Sequence, residues 1–120
     1  GFGFEYMTRG RGVILGDPGP WLAAGMTGGV LYLLVDKENG LTPSFIQTRI
    51  APAAKVSLQP LAANDIKELA SLLSTAQNAC NTEGCQVLKT QISQWSRDWS
   101  QHFIKLVPQG EQSDPSISTE

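Results

Sequence analysis

Few side chains in this sequence are of a type that could do chemistry, and each is met first as a candidate. His102 is the single histidine. A general base needs a nucleophile beside it and an acid behind it. His102 has neither within its own stretch and sits between Trp99 and Phe103, so it reads as a helix-face histidine. Cys80 and Cys85 are the two cysteines. A closed zinc site needs four ligands at tight spacing, and one histidine and two cysteines cannot supply them. Nor do two cysteines make a disulfide framework for a chain of 120 residues, which points to an inert role and a cytoplasmic setting.

The run Gly10-Arg-Gly12-Val-Ile-Leu-Gly16 has the look of a phosphate-binding loop. A dinucleotide fingerprint, however, needs a strand before it and a helix after it. Here the apolar strand lies inside the run, and the turn sequence Gly16-Asp-Pro-Gly-Pro20 follows. Glu5 and Asp17 are a conceivable acid–base pair, but nothing in the spacing brings them together. An aspartate in a turn more often accepts backbone N–H groups. The sequence therefore offers no catalytic, cofactor-binding or metal-binding residue, and whether the chain is an enzyme stays open.

The elements that would hold these residues fall into three zones and a tail. Residues 1–40 carry 9 of the 12 glycines within their first 29 positions. They read as short apolar strands, Val13–Leu15 and Val30–Val35, closed by the polar turn Asp36–Gly40. Residues 41–63 hold Pro43, Pro52 and Pro60 and read as a connection with one short edge strand at Val56 and Leu58. Residues 64–108 read as helical: Asn64 as N-cap, Asp65 and Glu68 in a first turn where the dipole favours acid, then Ile66, Leu69, Leu72, Leu73 and Ala76. After a break at Asn81–Gly84, Leu88, Ile92, Trp95, Trp99, Phe103 and Leu106 form one stripe at helical spacing, stopped by Pro108. Residues 109–120 read as a disordered tail. The net charge of −2 gives no footprint for nucleic acid, and no apolar run approaches the roughly 20 residues of a membrane helix.

The first zone also repeats itself. Met7, Thr8 and Gly10 recur as Met26, Thr27 and Gly29, each 19 positions on, and each set leads into an apolar run. Self-similarity near this period marks solenoids, in which each coil buries its apolar face against the next. Gly10, Gly12, Gly25, Gly28 and Gly29 would mark the corners. The fold class expected is mainly β with C-terminal helices: the last coils of a right-handed β-helix, capped by two helices that cover the open edge. Replacing Gly29 with valine should cost on the order of 1–3 kcal/mol if φ there is positive.

The residues that carry the repeat also carry a resemblance. Glu5-Tyr-Met-Thr8, Gly12-Val-Ile-Leu-Gly16, Ala23-Ala-Gly-Met-Thr-Gly-Gly29 and Leu34-Val-Asp36 resemble the C-terminal domain of the glutamate synthase large subunit, the GXGXG domain. The similarity continues more loosely to Phe103-Ile-Lys-Leu-Val-Pro108. The resemblance implies a β-helix end that scaffolds an amidotransferase domain and a barrel bearing FMN and an iron–sulfur cluster. Those domains make two glutamates from glutamine and 2-oxoglutarate; the β-helix itself holds no cofactor. The partners implied are the remaining domains of that subunit, with no nucleic acid and no membrane. The chain departs from the family at Arg9, at Pro20-Trp21-Leu22 and at Asn78. Trp21, Arg9 and Arg11 are the candidates for contact with those domains. The alternative is a stand-alone β-solenoid interaction subunit of another multi-domain oxidoreductase.

Overall fold

The computed structural model describes residues 4–8, 10–19, 22, 28–79 and 84–108. Their core is a five-stranded mixed sheet of order β1-β2-β3-β5-β4. The strands are β1 (Phe4–Thr8), β2 (Arg11–Leu15), β3 (Val30–Leu34), β4 (Val56–Gln59) and β5 (Phe103–Pro108). The helices are α1 (Pro43–Arg49), α2 (Ala63–Asn78), α3 (Gly84–Trp95) and the single turn α4 (Trp99–His102). Among the described residues no helix is long and apolar enough to cross a membrane.

Alternation along the strands sends apolar side chains to both faces, so both must be covered. On one face Val13, Leu15, Tyr32, Leu34 and Phe103 pack with Leu69, Leu72 and Leu73 of α2 and with Leu88 and Trp95 of α3. On the other, Leu31, Leu33, Val56 and Leu106 pack with Ile46 of α1 and with Leu22. The α2 stripe expected from its spacing is the buried one: Leu69, Leu72, Leu73 and Ala76.

The 19-residue repeat has a direct structural counterpart. Strands β2 and β3 pair in parallel with Arg11 opposite Val30, Gly12 opposite Leu31, Val13 opposite Tyr32 and Ile14 opposite Leu33. Every pair is offset by the repeat period, so β2 and β3 make one parallel step of 19 residues. The pairings on either side are antiparallel, β1 with β2 and β3 with β5. The described residues thus form one parallel step inside a mixed sheet rather than a stack of coils.

Three local expectations are corrected. The helical stripe ends at Trp95: Phe103 and Leu106 lie on β5, which is hydrogen-bonded to β3 on one side and β4 on the other. A six-residue, mostly apolar segment fits either period, and here the open edge of β3 decides, because two ladders satisfy the backbone that a helix would satisfy alone. Asn64 is not the N-cap of α2. Ala62 holds that position, and its N–H donates to Asp65 Oδ2 at 2.8 Å. The connecting zone contains a helix, α1, opened by Thr42, whose Oγ1 accepts the Phe45 N–H at 3.1 Å, and by Pro43 at the first position. At seven residues it is too short to show a period. The edge strand at Val56 and Leu58 lies as expected, at the margin of the sheet.

Candidate functional site

Two features hold the parallel β2–β3 step in place. The first is a glycine seam. Gly10 and Gly29 both have left-handed backbones, with φ of 77° and 86°, which is the region where a side chain is strained. The Val30 N–H donates to the Gly10 carbonyl at 2.9 Å and so starts the parallel ladder. A Cβ on Gly29 would run into that same carbonyl oxygen. Gly12 is buried opposite Leu31. Gly28 is exposed just before the seam.

The second is a polar cluster where the sheet meets the first turns of α2. Tyr32 lies on β3 opposite Lys105 on β5, and Arg11 lies at the start of the neighbouring β2. The Tyr32 phenol, with 0% of the residue exposed, donates its proton to Glu68 Oε1 at 2.6 Å, and Asp65 Oδ1 lies 3.2 Å from the same oxygen. Lys105 Nζ donates to Asp65 Oδ2 at 2.6 Å, with the two side chains 17% and 14% exposed. Arg11 Nε sits 3.0 Å from both oxygens of Glu68. Three strands are tied to one helix terminus by five side chains.

The protonation states follow from this geometry. Burial by itself raises the Asp65 carboxyl, but the Lys105 hydrogen bond and the Ala62 N–H outweigh it and hold the group below its ordinary 3.8. Burial raises the Tyr32 phenol above its ordinary 10.0, and the bond to the Glu68 carboxylate raises it further, because both favour the neutral donor. The pair Arg11–Glu68 is about a third exposed on each side, 37% and 36%. Arg11→Ala should therefore lower stability by less than about 1 kcal/mol, read as a shift of the urea midpoint at unchanged slope.

A third anchor fastens the return loop. Asp17 Oδ1 accepts the Gly19 N–H at 2.8 Å, as a turn aspartate should, and the Arg49 guanidinium forks onto both its oxygens at 3.1 Å. That bidentate bond keeps the Asp17 carboxyl below its usual range. Arg49 also lies over the Phe45 ring, 4.5 Å from its centre. Leu22 bridges to the end of α1 through hydrogen bonds with Arg49 and Ala51.

The structure brings Gly10 and Gly29 of the repeat together. Met7 and Thr8 lie on β1, while Gly25, Met26 and Thr27 lie outside the described residues. Arg9 and Trp21 also fall outside them. Arg11, expected to face a partner domain, is engaged with Glu68. Asp65 lies in the first turn of α2 as expected, accepting the Ala62 N–H, and it also holds Lys105; Glu68 lies beyond that turn and holds Tyr32. Spacing does not single out Tyr32 or Lys105, although each is a polar interruption of a buried apolar strand, which is the signal the sequence offers for them. The His102 backbone carbonyl accepts the Val35 N–H at 2.8 Å. Among the described residues no group of three metal-ligating side chains converges.

Residues 1–109 match the family model described as the GXGXG motif. The chain is 33% identical over 123 aligned positions to the chloroplastic ferredoxin-dependent glutamate synthase of Spinacia oleracea, spanning 95% of this chain and 6% of that protein. It is 35% identical over 106 positions to the NADH glutamate synthase of Schizosaccharomyces pombe, spanning 88% of this chain and 4% of that one. With the large chain of the NADPH glutamate synthase of Bacillus subtilis it shares 29% identity over 106 positions, spanning 88% of this chain and 6% of that one. The chain thus spans about a twentieth of the length of the relatives it matches.

Proposed function

Because this chain belongs to the GXGXG motif family, we propose that it serves as the C-terminal structural segment of a glutamate synthase large subunit. In this role it ends a β-helix and scaffolds the amidotransferase and FMN-bearing domains without supplying a catalytic residue. The observation that carries the reading is the parallel β2–β3 step, whose register equals the sequence repeat and whose corner is the Gly10–Gly29 seam. A parallel step of constant offset is the step by which a coil stack advances, and here antiparallel β1 and β5 close both its flanks. The clamp of Tyr32, Asp65, Glu68, Lys105 and Arg11 then fixes the capping helix on the last rung. FMN and the iron–sulfur cluster belong, in this reading, to the other domains, and no step of the reaction runs through this chain.

Trp21 and Arg9 are assigned contacts with those domains, Trp21 because an aromatic beside proline at a turn offers rigid contact area with little entropy to lose. Helices α2 and α3 act as the cap, with β5 a strand of the sheet they cover, and residues 109–120 lie outside the described residues.

Complementation tests it. A large subunit truncated just before the counterpart of Glu5-Tyr-Met-Thr8 is mixed with this chain, and glutamine-dependent glutamate formation from 2-oxoglutarate is followed. Restored activity is expected. A pair that neither binds nor reacts would overturn the reading and leave a scaffold for another oxidoreductase.

A further inference from the structure

We propose that the outer edge of β1 is a dimerisation surface, on which a second copy of this chain pairs its own β1 antiparallel to make one continuous sheet. The pairing is independent of the functional reading above. The sheet has two outer strands, β1 and β4, and the sequence treats them differently. β4 is four residues long and stands between Lys55 and Pro60, both exposed. A short strand flanked by a charge and a proline is a sheet margin kept from taking a further strand. β1 has five residues, Phe-Glu-Tyr-Met-Thr, with neither lysine nor proline among them. Its ladder to β2 runs from Phe4–Leu15 to Thr8–Arg11 without a skipped position, so no bulge twists the edge away. Among the described residues only β2 pairs with it, and its outward N–H and C=O groups are a template for one more strand.

A second copy fits that template because the strand is its own complement about Tyr6. Antiparallel pairing centred there sets position 4 opposite 8, position 5 opposite 7 and Tyr6 opposite Tyr6. All five residues find a partner, and the operation closes as a two-fold. The one charge in the strand, Glu5, then faces Met7 rather than another acid. Centring the pair on Glu5 instead would oppose the two acids and leave positions 7 and 8 unpaired. Tyr6 lies opposite Val13 and is half-buried against the core that α2 and α3 cover. At the axis it meets its own counterpart, an aromatic cross-strand pair that covers the exposed part of each ring. A net charge of −2 per chain opposes association only weakly. Both outer strands of the joined sheet are then β4, the guarded one, so growth stops at two chains.

Sedimentation equilibrium of the full 120-residue chain tests the pairing. A monomer–dimer equilibrium with no larger species is expected. Charge variants read the register. Met7→Glu sets two acids opposite each other twice per dimer and is expected to weaken association about tenfold. Met7→Lys sets opposite charges there and is expected to dimerise at least as tightly as the parent. Both lose the same methionine, so a difference between them reports the pairing and not the fold, whose integrity circular dichroism checks. Glu5→Lys combined with Met7→Glu exchanges the two charges and should recover the association that Met7→Glu alone loses. Gln94→Glu, at an exposed position of α3, adds the same negative charge off the edge and should lose nothing. A chain that stays monomeric at every concentration overturns the proposal. So do Met7→Glu and Met7→Lys dimerising alike, Gln94→Glu losing as much as Met7→Glu, or oligomers that grow beyond two chains.

Discussion

Replacing Gly29 with valine should lower the unfolding free energy by about 3 kcal/mol or more. Two penalties combine. The backbone stands at φ 86°, a left-handed conformation that costs a side-chain-bearing residue roughly 1–2 kcal/mol. The new Cβ also meets the Gly10 carbonyl oxygen, which is backbone and cannot swing aside. That oxygen accepts the Val30 N–H, so yielding means opening the first bond of the parallel ladder. Gly40 separates the two penalties. It has nearly the same φ, 81°, but a Cβ there would meet nothing within 4 Å. Gly40→Ala should therefore cost about 1 kcal/mol, the conformational part alone. Urea unfolding of Gly29→Ala, Gly29→Val and Gly40→Ala decides between them. Equal losses at the two sites would mean that the seam adds nothing and that the parallel step is not held there.

Removing the Asp65 carboxylate should also have a large effect. Asp65→Ala strands the Lys105 ammonium, whose side chain is only 17% exposed, and it also releases the Ala62 N–H. Breaking a buried pair from one side costs several kcal/mol when burial is complete; with the remaining access to water a loss of about 2–3 kcal/mol is expected. Adding Lys105→Met should recover most of it, because the stranded charge is then gone and the aliphatic stem is kept. A double variant no more stable than the single one would show that the cost lies in the helix cap instead. The same group sets the acid limb of stability. Its folded carboxyl lies below 3.8, so its contribution is fully present above the ordinary carboxylate value and is lost as pH falls through the lower, folded one. At the alkaline end the sign reverses for Tyr32. Its raised phenol keeps stability intact below 10.0 and lets it decline above, where the unfolded chain ionises first. Both limbs should flatten in the corresponding Asp65→Ala and Tyr32→Phe variants, measured as melting temperature against pH.

Sequence and structure divide the description of this protein along a physical line. The repeat is legible because β2 and β3 pair in parallel at the same 19-residue offset along their length; Gly10 and Gly29 declare it 19 positions apart. The α2 stripe is legible for a similar reason, since one long amphipathic helix repeats its period several times before noise can hide it. The positive-φ glycines Gly10 and Gly29, the polar turn at Asp36–Gly40 and the edge strand at Val56 are likewise local matters of φ, hydrogen bonding and alternation.

What the tertiary structure alone decides involves competition between partners distant in sequence. The segment Phe103–Pro108 satisfies a helical spacing as well as a strand, and only the vacant edges of β3 and β4 make it β5. Asp65 and Glu68 suit a helix N-terminus in isolation. They are claimed by Tyr32, Lys105 and Arg11, which are 33, 40 and 57 positions away in the bonds they make. Whether the coil continues beyond one step depends on the same competition, because antiparallel β1 and β5 occupy both flanks of the parallel pair. Local propensity sets what a segment can become. Which backbone groups and charges remain unpaired after the rest has packed sets what it is.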